Sequence, residues 1–71
     1  MRYVVVLERT EDNYGAYVPD LPGCVVVGET RAETLKLIRE AIALHMEGMR
    51  AEGLAIPKPS ATSQYVEVVA A

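Results

Sequence analysis

Seventy-one residues, 51% of them hydrophobic and 24% charged, make one small folded domain and exclude a disordered chain. A single Cys and a single His exclude an internal disulfide and a Cys/His zinc cluster. The net charge of −3 argues against general nucleic-acid binding, which needs an excess of Lys and Arg, and suits a basic partner better.

The first element is a strand over Arg2 to Arg9, rich in Val and Tyr. Tyr3, Val5 and Leu7 share one face and Val4 and Val6 the other, so the strand is expected to be central and covered on both sides. Glu11-Asp12-Asn13 follows as the loop of a hairpin. Tyr14 to Val18 is the second strand, with Tyr14, Ala16 and Val18 on one face and Gly15 and Tyr17 on the other. Pro19-Asp20-Leu21-Pro22-Gly23 imposes a stiff turn, because each Pro fixes φ and removes a donor. Cys24 to Val27 is a third, wholly apolar strand that Gly28 ends.

Thr30-Arg31-Ala32-Glu33 fits a capping box and starts a helix that runs to about Glu52. Gly53 stands at the C-terminal cap, with Pro57 and Pro59 beyond it. Leu35, Ile38, Ile42, Met46 and Met49 share one helix face, with Lys36, Arg39, Glu40, Glu47 and Arg50 opposite. Leu37 and Leu44 fit neither group and widen the apolar arc beyond what one sheet requires. After a connector over Leu54 to Ser63, Gln64 to Val69 is expected to close the fold as a last strand. The order is β-β-β-α-β, an α+β single domain over residues 1–71 with one long helix packed on an antiparallel-type sheet.

A chain this short buries only about 60% of its unfolded surface, so its core is thin and wants a staple. Self-association is the remaining staple, with Leu37 and Leu44 as the candidate interface of a homo-oligomer, dimer or tetramer. The early apolar run Tyr3 to Leu7 is too short for a signal-peptide core, and nothing approaches the roughly 18 apolar residues of a membrane span. The expected compartment is the cytoplasm, where a lone thiol stays reduced.

The run Tyr14-Gly15-Ala16-Tyr17-Val18-Pro19-Asp20-Leu21-Pro22-Gly23-Cys24, followed by Gly28-Glu29-Thr30, resembles the HicB family of type II antitoxins. Pro19 to Cys24 matches the family pattern position by position, and Glu29 stands where Asp is usual. Glu33 falls on its acidic residue in the first helical turn, and Ile56-Pro57-Lys58-Pro59-Ser60 is similar to its link to the last strand. The resemblance implies a partial ribonuclease-H-like β-β-β-α-β fold. It further implies binding and inhibition of a small basic mRNA-cleaving toxin of the HicA kind, which has a double-stranded-RNA-binding-like fold and a catalytic His. Many members carry a DNA-binding segment after the last strand; this sequence stops at Ala71 without a basic segment, so no direct DNA binding is expected.

Each candidate residue has a plain structural reading beside the functional one. The Pro19–Gly23 loop is first a turn, with Asp20 bonded to backbone N–H groups, and secondly a preorganised contact. Tyr14 and Tyr17 lie on opposite faces, so one is exposed; Tyr is common both in strands and at interface hot spots. With Pro19, Asp20, Leu21 and Glu29, they are the expected partner-binding residues, and Glu11 and Asp12 add negative charge that steers a basic partner. Cys24 among valines is a small core residue, and His45 a boundary residue. Glu8, Glu11, Asp12, Asp20 and Glu29 could be remnants of a two-metal nuclease site, but their spacing does not demand convergence. No catalytic residue, metal or cofactor is expected. The alternatives are a stand-alone interaction or ligand-binding domain and a vestigial nuclease.

Overall fold

The computed structural model describes residues 1–70, in the order β1 (Val6–Arg9), β2 (Tyr14–Tyr17), β3 (Val25–Gly28) and α1 (Arg31–Ala51). The three strands form one antiparallel sheet in the order β1-β2-β3. Val6 pairs with Tyr17 and Tyr17 with Val25, while Arg9 pairs with Tyr14 and Tyr14 with Gly28. The sheet therefore has two distinct ends. One carries the β1–β2 hairpin and the start of the helix; the other carries the β2–β3 turn.

The α+β class with three antiparallel strands and one long helix is as the sequence reads. The ends differ. β1 begins at Val6 rather than Arg2, because β2 stops at Tyr17 and leaves residues 2–5 nothing to pair with on that side. β1 is also an edge strand rather than a central one. Among the described residues no strand follows the helix: Gln64 to Val69 has the composition of a strand without its hydrogen bonds. A strand is a paired object, so strand-forming residues become one only where a neighbour supplies the ladder.

The helix starts as the capping box predicts, with one refinement. Thr30 Oγ1 accepts from the Glu33 N–H at 3.1 Å, but Glu33 reaches back one residue further, accepting from the Glu29 N–H at 3.2 Å. At the other end the Gly53 N–H donates to Arg50 and the Leu54 N–H to Met49 (3.0 and 2.8 Å), the paired bonds of a Schellman cap. At 1.5 Å per residue this 21-residue helix is about 31 Å long, against roughly 13 Å for a four-residue strand, so its second half overhangs the sheet.

The core lies between the helix and one sheet face: Ala16, Val18, Leu21, Cys24 and Ile38 are buried, with Tyr3, Val5, Leu7, Val26, Ala41 and Ile42 packed around them. Burial raises the Cys24 thiol pKa, consistent with its place in this core. β3 approaches α1 so closely at Gly28 that a Cβ there would overlap the Thr34 hydroxyl. Thr34 is itself fully buried, its hydroxyl donating to the Thr30 carbonyl at 2.7 Å. The other sheet face is open to solvent, with Tyr17, Val25 and Val27 exposed.

Candidate functional site

The Pro19–Cys24 run folds as two consecutive turns. The Leu21 N–H donates to Val18 at 3.1 Å, closing a turn with Pro19 at its second position. The Cys24 N–H donates to Leu21 at 3.0 Å, closing another with Pro22 second and Gly23 third. Gly23 has φ of 83°, as the third position of a type II turn demands. A further bond from the Val18 N–H to Cys24 at 3.2 Å ties the loop's two stems together.

Inside this loop Asp20 does not project into solvent as a free charge. Its carboxylate accepts from the Ser60 N–H at 3.0 Å, the Ser60 hydroxyl at 2.8 Å and the Ala61 N–H at 3.1 Å. The backbone N–H of Ser60, then that of Ala61, then the Ser60 hydroxyl hold its pKa below the ordinary 3.8, because each favours the ionised form. Asp20 thereby fastens the proline-rich connector to the turn. A second fastening runs from the Tyr3 hydroxyl, which donates to the Pro57 carbonyl. Leu21, expected at a partner surface, is 1% exposed and belongs to the core. The turn reverses the chain so tightly that its one aliphatic side chain falls inward, which excludes Leu21 from a contact surface.

The remaining expected contacts separate into two places. Tyr14 is half-buried and Glu29 exposed at the hairpin end, where Gly28 pairs with Tyr14. Glu8, Glu11 and Asp12 are exposed at or near this same end. Thr10 and Asn13 brace the hairpin loop: the Thr10 N–H donates to the Asn13 carbonyl at 2.8 Å, and the Thr10 hydroxyl meets the Asn13 side chain at 2.6 Å. Four carboxylates thus rim one end of the sheet: Glu8 on β1, Glu11 and Asp12 on a short, cross-braced loop, and Glu29 at the helix entrance. Tyr17 and Pro19 are exposed at the far end. On the helix, Leu44 is 69% exposed and Leu37 half-buried.

Asp20 lies at the opposite end of the sheet from Glu11, Asp12 and Glu29, so the five acids do not converge. Among the described residues no three His, Cys, Asp or Glu side chains come together to hold a metal ion. No described helix is long and apolar enough to cross a membrane. Sequence reasoning missed both fastenings of the connector. The available signals were a turn Asp and a Ser sixty residues into the chain, but nothing in their spacing of 40 residues links them.

Comparison with known proteins fits this geometry. A solved HicA3 and HicB3 toxin–antitoxin complex contains a chain that superimposes with a TM-score of 0.72 at 33% identity, covering 84% of this chain and 70% of that one. An antitoxin HicB 2 of Photorhabdus laumondii is 32% identical over 71 residues, covering 99% of this chain and 51% of its own length. A protein of Haemophilus phage HP1 from the rep-hol intergenic region is 38% identical over 66 residues, 93% of this chain and 50% of the phage protein. The chain thus spans about half the length of these two relatives. The family model for the HicB_like antitoxin of bacterial toxin–antitoxin systems matches residues 3–70, and the chain belongs to that family.

Proposed function

We propose that this domain neutralises a small basic mRNA-cleaving toxin of the HicA kind by covering it, with no catalysis of its own. The family match, with the likeness to a chain of the HicA3 and HicB3 toxin–antitoxin complex, supports this reading. The carboxylates of Glu8, Glu11, Asp12 and Glu29 form a rim that attracts the positive face with which such a toxin holds RNA. Tyr14, held in β2 beside Glu29, supplies desolvated contact once the toxin is seated. Tyr17 and Pro19 face away from the rim and fall outside this footprint. Asp20 and Leu21 support it from within: one fastens the connector and the other fills the core.

The domain works in the cytoplasm and self-associates, as its thin core requires, with the exposed Leu44 a candidate contact on the helix. Its net charge of −3 disfavours general binding to a phosphate backbone.

Titrating the full chain into its cognate toxin tests the reading. Cleavage of mRNA should fall to nothing near stoichiometric addition, and the association rate should fall steeply with salt. Replacing Glu11, Asp12 and Glu29 together by Lys should slow association on the order of tenfold or more and flatten that salt dependence. Undiminished cleavage at excess domain overturns the proposal.

A further inference from the structure

The hairpin end of the sheet carries charges of both signs. Beside the carboxylates of Glu8, Glu11, Asp12 and Glu29 stand two exposed guanidinium groups, those of Arg9, the last residue of β1, and Arg31, the first of α1. Among the described residues neither forms an ion pair.

The local pattern shows why. Arg9 pairs across the strands with Tyr14 rather than with an acid. Arg31 has Thr34 and Leu35 three and four residues on, where a helix would place a partner. The first carboxylate of the helix, that of Glu33, is turned back onto the Glu29 N–H. Arg31 also has the wrong sign for its position. The first turn of a helix presents free N–H groups and the positive end of the macrodipole, which favour an anion and disfavour a cation. A residue that works against its local setting, with no gain inside the fold, is expected at a functional surface.

Neither arginine can stand aside from the toxin contact proposed above, on which this inference rests. Arg9 and Tyr14 are directly opposed, so their side chains leave the same face with Cβ atoms about 5 Å apart. Leu7 and Ala16, the next pair on that face, pack in the core beneath α1. Arg9 and Tyr14 therefore continue the core face out to the hairpin end. Arg31 follows Glu29 by two residues. A partner that desolvates Tyr14 and meets Glu29 comes within a side chain's reach of both guanidinium groups. A uniformly positive surface would there press like charges together and opposes its own binding.

We infer that Arg9 and Arg31 each donate to a carboxylate of the toxin, and that this pairing selects the cognate toxin from other basic proteins that the acidic rim attracts. The planar guanidinium fork suits a carboxylate held by two hydrogen bonds. The contact thus has two parts. The acids govern how fast a basic partner arrives, and the two arginines govern whether it stays.

Reversing the arginines separates this pairing from attraction by net charge, because the two predict opposite signs. Arg9→Glu with Arg31→Glu removes two positive charges and adds two negative ones, taking the net charge from −3 to −7. A toxin held by net charge alone binds that variant more tightly. With the arginines paired to the toxin, the variant should instead bind about tenfold or more weakly, mainly through faster dissociation. Arg31→Glu alone should keep or slightly raise the Tm, since it sets an anion at the helix N-terminus, so unfolding does not account for the loss. Replacing the toxin's Asp and Glu residues by Arg, one at a time, should find a position that restores binding to Arg9→Glu or Arg31→Glu and weakens binding to the wild-type domain. Unchanged or tighter binding by the double variant overturns the inference, as does a complete scan without such a rescue. Failure of the wild-type domain to inhibit the toxin is a different result, which overturns the antitoxin reading and this inference with it.

Discussion

The turn at Pro19–Cys24 and the segment at Gln64–Ala70 are opposites. In the turn nearly every residue is committed inside the chain. Pro19, Pro22 and Gly23 set the backbone, Leu21 and Cys24 fill the core, and Asp20 binds Ser60 and Ala61. In the segment, the Gln64 side chain bonds only to its neighbour's carbonyl, and the apolar side chains meet almost nothing. Both are strong sequence patterns. A pattern whose partners lie within a few residues folds on its own terms, whereas one whose partner must be supplied from a distance waits for it.

The sharpest way to break this contrast is to empty the turn. Leu21→Ala removes a side chain that is almost wholly buried and should cost about 2–5 kcal/mol, enough to threaten a domain this small. Denaturant unfolding followed by circular dichroism checks it. Truncating Val69 to Ala should leave the same curve within about 0.5 kcal/mol, since Val69 is almost fully exposed. A Val69 effect as large as that of Leu21 would show that the segment is packed inside the monomer.

Next in size is Gly28→Ala. The new methyl collides with Thr34 across the tightest approach of β3 and α1. A loss of about 1–3 kcal/mol is expected, with α1 shifting away from the sheet. Thr30→Ala should cost about 1 kcal/mol by releasing the Glu33 N–H, a change measurable as a lower Tm.

The same contrast separates what the sequence makes legible from what it does not. The helix and its caps were legible because Thr30, Glu33 and Gly53 act over three or four residues. The hairpin and the double turn were legible for the same reason. The length of β1, the fate of residues 64–69 and the fastening of Ser60 to Asp20 depend on contacts dozens of residues away, for which no local signal exists. The surface was half legible. The carboxylate rim follows from turn chemistry, because the loop residues that make a hairpin are also the ones left in solvent. Leu21 is not legible as a core residue, because a hydrophobic residue between two prolines looks exposed until the turn geometry turns it inward.

The smallest effect at neutral pH should come from Asp20, and its sign can be worked out. Three donors stabilise the ionised carboxylate, so its pKa in the folded protein lies below the ordinary 3.8. A carboxylate depressed on folding adds stability above its unfolded pKa and loses it as pH falls through the folded one. This contribution is therefore intact at pH 7 and disappears below about pH 4. Asp20→Asn keeps the shape and one acceptor oxygen but cannot ionise. The variant should be slightly less stable than wild type at pH 7, and the gap should close on acidification. Thermal unfolding at pH 7, 5, 4 and 3 reads both parts. A gap that stays constant through pH 3 would mean that the connector is held by shape alone. A gap that closes would show that the charge of Asp20 is already spent within the fold, on the connector it fastens.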